Sequence, residues 1–238
     1  MGKLQIAAVQ TRLLALGYDL GPTAADGDFG NFTRDAALAA LTTGKPAAIA
    51  PSPAPAPKPG RVTTIPATWL IDAEIRGIVV HWTAGAHKAS AEDRRHYHFL
   101  IEGDGRLVRG APSVDLNDAR GLKTGYAPHT LHANTGRIGV SLCCMAGAKE
   151  SPFQAGSYPM TREQWDELPA VLADLCRTYR VPVTAKTVLS HAEVQGTLGI
   201  TQRGKWDIAR LAFDPSVVGA TAVGDLFRKR TAALLEAG

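Results

Sequence analysis

The chain has few cysteines, no long apolar run and no strong excess of either charge, and each shortage removes a class of protein. Its three cysteines among 238 residues, Cys143, Cys144 and Cys176, are odd in number, lack Cys-x-x-Cys spacing and sit among apolar neighbours. They read as reduced, buried thiols acting as small hydrophobes, which argues against a disulfide framework or a thiolate metal site. No stretch is apolar for long enough to span a bilayer, and the opening Met1-Gly2-Lys3-Leu4-Gln5 leads into no apolar segment with a small-residue cleavage site. Synthesis in the cytoplasm without a signal peptide or stable membrane insertion is therefore expected. The formal charge of +4 and pI ≈ 9.0 form a modest basic excess. That balance suits an anionic surface such as nucleic acid, lipid headgroups or a bacterial wall without choosing among them.

What is present is an ordinary globular composition, 45% hydrophobic and 20% charged. Residues 47–59, AAIAPSPAPAPKP, alternate Pro and Ala, a pattern that favours an extended, semi-rigid spacer over helix or sheet. The expected organisation is a small helical module over 1–44, a linker over 45–61 and a main domain over 62–238. In the module, Leu4, Ile6, Val9, Leu13, Leu14 and Leu16 recur at helical spacing before Gly17, residues 21–30 read as loop, and a second helix is predicted over 32–41. In the main domain, strands are predicted at 76–81, 96–102, 107–110, 138–144 and 187–191, and helices at 162–179 and 223–236. Interleaved strands and helices imply an α/β fold around one sheet. Residues 115–134 read as a long ordered loop, and such loops often carry function.

Seven histidines are present, and a histidine at a strand end is more often a hydrogen-bonded structural residue than a ligand. Context singles out His81 at the end of the apolar run Gly77-Ile78-Val79-Val80, His191 far downstream, and Asp207 in Lys205-Trp206-Asp207. Two imidazoles and a carboxylate around one Zn²⁺ leave a fourth position open, the composition of a hydrolytic site.

The order of the segments carries a family resemblance. The run ending His81-Trp82-Thr83-Ala84-Gly85 resembles the opening strand of zinc-dependent N-acetylmuramoyl-L-alanine amidases, the family that includes many phage endolysins and the peptidoglycan-recognition proteins. His96-Tyr97-His98-Phe99-Leu100-Ile101 with Asp104-Gly105 is similar to that family's hairpin, and His132-Ala133-Asn134 leading into Ile138-Gly139-Val140-Ser141-Leu142 is similar to its next strand. Ser190-His191-Ala192-Glu193 and the later Lys205-Trp206-Asp207 are similar to its ending. The resemblance covers residues 75–213 in order.

It implies an amidase-type central mixed sheet flanked by helices, Zn²⁺ as cofactor, and His81, His191 and Asp207 as its ligands. Lys205 would stand beside the metal, where an ammonium stabilises the negative oxygen of a tetrahedral intermediate. Tyr97 is expected near the attacking water, and Trp82 and Thr83 among the substrate-binding residues. Because side chains alternate along a strand, His96 and His98 are expected opposite Tyr97, in structural or supporting roles. His132, His129 and Asn134 read either as substrate contacts or as hydrogen-bonded loop residues. Two departures stand out. Ser141 occupies the position where cell-wall-recycling amidases carry a glutamate able to act as general base, and residues 194–204 form a longer insertion than usual.

The module resembles the small helical peptidoglycan-binding domains through Val9-Gln10, Leu13, Leu16-Gly17-Tyr18 and Asp26-Gly27-Asp28-Phe29-Gly30. The match stops after Leu41, without a second copy. The combined expectation is a monomeric phage or prophage endolysin that cleaves the amide between N-acetylmuramic acid and L-alanine, partnered by peptidoglycan and not by nucleic acid. It would reach the wall in the periplasm through a holin-type exit. The rivals are a non-catalytic peptidoglycan-recognition protein and a cytoplasmic recycling amidase.

Overall fold

The computed structural model describes residues 3–15, 20, 29, 33, 37, 40 and 64–237, and the chain divides into two compact units, Met1–Arg61 and Val62–Gly238. In the first unit, helix α1 (Lys3–Ala15) buries Leu13, which clusters with Leu20, Ala37 and Ala40. Gln10 Nε2 donates to Thr33 Oγ1 at 2.9 Å, satisfying a buried polar pair. Of the helix predicted over 32–41, Thr33, Ala37 and Ala40 are described and are helical. The loop predicted over 21–30, apart from an exposed Phe29, and the spacer over 47–59 lie outside the described residues.

The second unit is built on β1 (Gly77–Trp82), β2 (Phe99–Ile101), β3 (Leu107–Arg109), β4 (Arg137–Leu142) and β5 (Val188–Ser190). They form one mixed sheet in the order β3-β2-β4-β1-β5. β1 pairs in parallel with both β4 and β5, β2 runs parallel to β4, and only β3 is antiparallel to its neighbour. With partners on both edges and layers on both faces, β1 is buried at all six residues, which its apolar run Gly77–Val80 suits and to which His81 is the polar exception. Its alternation divides the molecule. Ile78, Val80 and Trp82 join Leu168, Leu172 and Leu175 of α3 (Arg162–Tyr179) and Phe227 of α5 (Ala220–Glu236) in the main core. Val79 turns to the other face, against Leu189 and Val194, and His81 shares that parity.

Several elements differ from the sequence expectation. The predicted strand over 96–102 starts only at Phe99, because Ala91–His96 is helix α2. Ser90 and Asp93 close a capping box at its start, and Arg94, Arg95 and His96 sit at its negative end, so local electrostatics favour a helix. His191 is likewise the first residue of helix α4 (His191–Leu198) and not the last of a strand. Glu193 Oε2 accepts from the Ser190 backbone N–H at 2.8 Å, half of a second capping box. A short 3-10 turn, Val114–Asn117, opens the long loop, and an unanticipated ribbon of β6 (Arg210–Leu211) and β7 (Asp214–Val218) follows the last candidate ligand.

The start of α4 is clamped from α5. Arg228 Nη2 and Nη1 donate to the two oxygens of Glu193 at 2.8 and 3.0 Å, and Nη1 also reaches the Val188 carbonyl at 3.0 Å. Both side chains are nearly excluded from solvent. Gly224 permits this approach, since a Cβ there would lie 2.4 Å from Glu193 Oε2. Arg228→Ala leaves the Glu193 carboxylate buried and unpaired, and the expected loss is about 3–5 kcal/mol of unfolding free energy by urea titration. A loss below about 1 kcal/mol would show that the pair does not anchor α4.

Candidate active site

Three acceptor atoms meet at the carboxyl ends of β1 and β5. His81 Nδ1 lies 3.0 Å from His191 Nδ1 and 3.1 Å from Asp207 Oδ2, and His191 Nδ1 lies 3.0 Å from the same oxygen. His81 comes from the next-to-last position of β1, His191 from the first turn of α4, and Asp207 from the loop ahead of β6. All three are buried, with His81 fully so.

Hydrogen bonds behind the rings fix which nitrogen carries each proton. Gln202 Nε2 donates to the carbonyls of Leu131 (2.8 Å) and Ile200 (3.3 Å), so its Oε1 is the atom 2.8 Å from His191 Nε2. That nitrogen must therefore be the N–H, and His191 Nδ1 presents a lone pair. His129 Nε2 faces the Arg137 carbonyl at 3.3 Å, which makes it a donor and leaves His129 Nδ1 as an acceptor. His81 Nε2, 3.2 Å from that nitrogen and 3.3 Å from Thr130 Oγ1, then donates, and His81 Nδ1 also presents a lone pair. Two lone pairs and a carboxylate oxygen about 3 Å apart repel one another unless a cation lies between them. Tetrahedral zinc, with ligands at about 2.0–2.1 Å, separates its ligand atoms by about 3.3–3.4 Å, close to this spacing. The set of two nitrogens and one oxygen is one that zinc takes.

Charge states agree with ligation. Burial lowers the His81 pKa to about 4, keeping the imidazole neutral at pH 7. His129 is driven well below its ordinary value by burial and by the neighbouring imidazoles.

His191 and Asp207 line a cleft of 910 Å³, with His81 fully buried behind them. Tyr97 and His96 both line it, which corrects the expectation that they face opposite ways. His96 ends a helix and Tyr97 is its extended cap, so strand alternation does not apply. The Tyr97 ring centroid is 5.2 Å from that of His81. Burial and the Asp207 charge push its hydroxyl pKa up, keeping the proton on, with the nearby Ser141 hydroxyl acting the other way. A Cβ at Gly110 would come 1.7 Å from the Tyr97 carbonyl, so glycine there lets the Tyr97 backbone pass. Ser141, directly across from His81 on β4, is buried, with its hydroxyl beside that of Tyr97.

Lys205, Thr83, His132 and Asn134 line the cleft as well. Lys205 is exposed, yet its charge reaches His81. Trp82 also borders it, edge-on to Trp206 at 4.8 Å. The Asn134 oxygen accepts from the Thr130 N–H at 2.8 Å, so part of its capacity holds the loop. His98 does not line the cleft. Gly139 N–H donates to its Nδ1 at 3.0 Å and its Nε2 reaches Asn117 Oδ1 at 3.1 Å, tying sheet to loop.

The sequence profile of the N-acetylmuramoyl-L-alanine amidases matches residues 72–208, more than half of the chain and all three clustered residues. The chain belongs to this amidase family. No curated protein matches it. Solved structures similar to it include the endolysin amidase LysCS from Clostridium intestinale, at 16% identity over 60% of this chain and 100% of that one, TM-score 0.35. The amidase AmiD from E. coli, solved with anhydro-N-acetylmuramic acid-L-Ala-D-γ-Glu-L-Lys, is 19% identical over 51% of this chain and 50% of its own, TM-score 0.37. The Ph2119 endolysin of a Thermus scotoductus bacteriophage is 18% identical over 58% and 83%, TM-score 0.35.

Sequence reading overlooks Gln202 in this amidase. It lies in the long insertion, where a polar residue looks like loop surface, yet it is 3% exposed and holds His191. No local pattern could have revealed it, since its partners come from three segments. Replacing it by leucine removes the acceptor that orients His191. We expect Gln202→Leu to bind Zn²⁺ about 10–100-fold more weakly in competition with a chromogenic chelator. An unchanged dissociation constant would show that His191 needs no such partner.

Proposed function

We propose that this chain is a zinc-dependent N-acetylmuramoyl-L-alanine amidase that acts on peptidoglycan as a phage or prophage endolysin. The observation that carries the zinc is the trio of acceptor atoms within 3.1 Å of one another at the floor of an open cleft. His81, His191 and Asp207 would hold the ion. Bound Zn²⁺ supplies Lewis acidity and makes water acidic enough to ionise near neutral pH.

The chain's own residues do the rest. Lys205, on the cleft wall, presents its ammonium to the oxygen that gains negative charge as the amide carbon becomes tetrahedral. Tyr97 keeps its proton and offers a hydroxyl beside the attacking water, which it orients by hydrogen bonding. Ser141 has no charge to offer as a base, so ionising the water would fall to the site held by His81, His191 and Asp207, with the protonated Tyr97 only orienting it. Trp82, Thr83, His132 and Asn134 border the space for the muramyl and peptide portions.

Residues 1–44 would act as a wall-binding module joined by the linker over 45–61 to the catalytic domain over 62–238, raising its local concentration on an insoluble substrate. The reading includes action as a monomer, without nucleic acid, after a holin-type exit to the periplasm. Among the described residues no helix is long and apolar enough to cross a membrane.

Zymography on purified sacculi, with and without a chelator, tests the enzyme. The chelator should abolish clearing and added Zn²⁺ should restore it. His81→Ala and Asp207→Ala should lose bound zinc by metal analysis, and full occupancy in both would reject the ligand set. Lys205→Ala should keep zinc and fold while lowering kcat/KM about a hundredfold or more; near-normal turnover would make it a surface lysine. A chain beginning near Arg61 should cleave a small muropeptide at the normal rate but bind sacculi less well. Equal binding would reject the module.

A further inference from the structure

The insertion that supplies Gln202 also carries an arginine without an internal partner. Besides its side-chain bonds to Leu131 and Ile200, Gln202 donates its backbone N–H to Gln195 Oε1 at 2.9 Å, so the segment is tied both to α4 and to the 129–132 loop. The residues flanking this bridge, His132 and Arg203, both have left-handed backbones, with φ of 56° and 53°. Neither is glycine or asparagine, and such conformations persist at functional sites where the surroundings impose them. Both side chains are exposed and both line the cleft. Arg203 makes no hydrogen bond or ion pair among the described residues.

The charge of the cleft decides what such an arginine would meet. Among the described residues lining it, Asp207 is the one acid, and its Oδ2 is turned to the two histidines. Arg203 and Lys205 are unpaired cations on the same wall. A guanidinium on a pinned loop, with its five donors unspent, suits bidentate capture of a carboxylate. Lys205 is committed to the reacting carbonyl in the reading above, so Arg203 remains for a second anionic group on the substrate.

We propose that Arg203 is a specificity residue that binds a free carboxylate of the stem peptide beyond the scissile alanine, with His132 across the Gln202 bridge as an adjoining donor. This rests on the amidase reading. Two stem-peptide groups share the chemistry: the α-carboxylate of a γ-linked glutamate, and a carboxylate of the diamino acid that follows.

The test uses the full-length zinc-loaded protein and three synthetic muropeptides: one with both carboxylates free, one amidated at the glutamate and one amidated at the diamino acid. With the free substrate, Arg203→Gln should raise KM about tenfold while kcat stays within about twofold, and Arg203→Lys should recover part of the loss. With one of the amidated substrates, wild type and Arg203→Gln should show the same KM, and which one identifies the carboxylate. An equal KM penalty on all three substrates, or none on any, overturns the proposal while wild-type cleavage leaves the amidase reading standing. Failure of the wild type to cleave any of them overturns both. Zinc content measured alongside confirms that the neighbouring Gln202 still holds His191.

Discussion

Holding three electron-rich atoms about 3 Å apart in a nearly dry pocket is the constraint around which the second unit is arranged. Each atom repels the other two, and only rigid anchoring from behind keeps them aimed at one point. The anchors are independent. His81 is fixed by its strand, buried between β4 and β5, and by acceptors on the 129–130 loop. His191 is fixed by the capped first turn of α4, by the Arg228–Glu193 pair behind that turn, and by Gln202. The Asp207 carbonyl in turn accepts from the Ala192 N–H, a long bond of 3.3 Å joining the third loop to the same helical turn.

The sheet separates this polar apparatus from the bulk of the apolar burial. One face of β1 packs on α3 and α5 and supplies most of the hydrophobic stabilisation. The other face holds a smaller apolar cluster and the linked histidines. Gly139 shows how close the layers are: a Cβ there would sit 2.6 Å from the His129 ring. The glycine between Ile138 and Val140 is therefore a space reserved for the imidazole that backs His81.

Much of this was legible in the chain because the informative residues sit at element ends. The apolar run before His81 announces a buried strand, and the periodicity of Trp165, Leu168, Val171, Leu172 and Leu175 marks α3 over its full length, Arg162–Tyr179. The segment around His96 misled because aromatic residues imitate strand composition, while the deciding signal was the Ser90–Asp93 capping box upstream. Gln202 and Arg228 were invisible for another reason. Their importance lies in partners distant in sequence, and neither a buried amide nor a buried guanidinium leaves a periodic trace.

The three thiols have a consequence of their own. Burial raises the pKa of Cys143 and Cys176 to about 12 and lifts that of Cys144 well above its ordinary value, and all three are free and enclosed. A thiol that stays protonated and out of reach neither exchanges with disulfides nor competes as a soft ligand for a metal held elsewhere. The folded unit is thus indifferent to redox potential, and passage from a reducing to an oxidising medium would leave its covalent structure as it was.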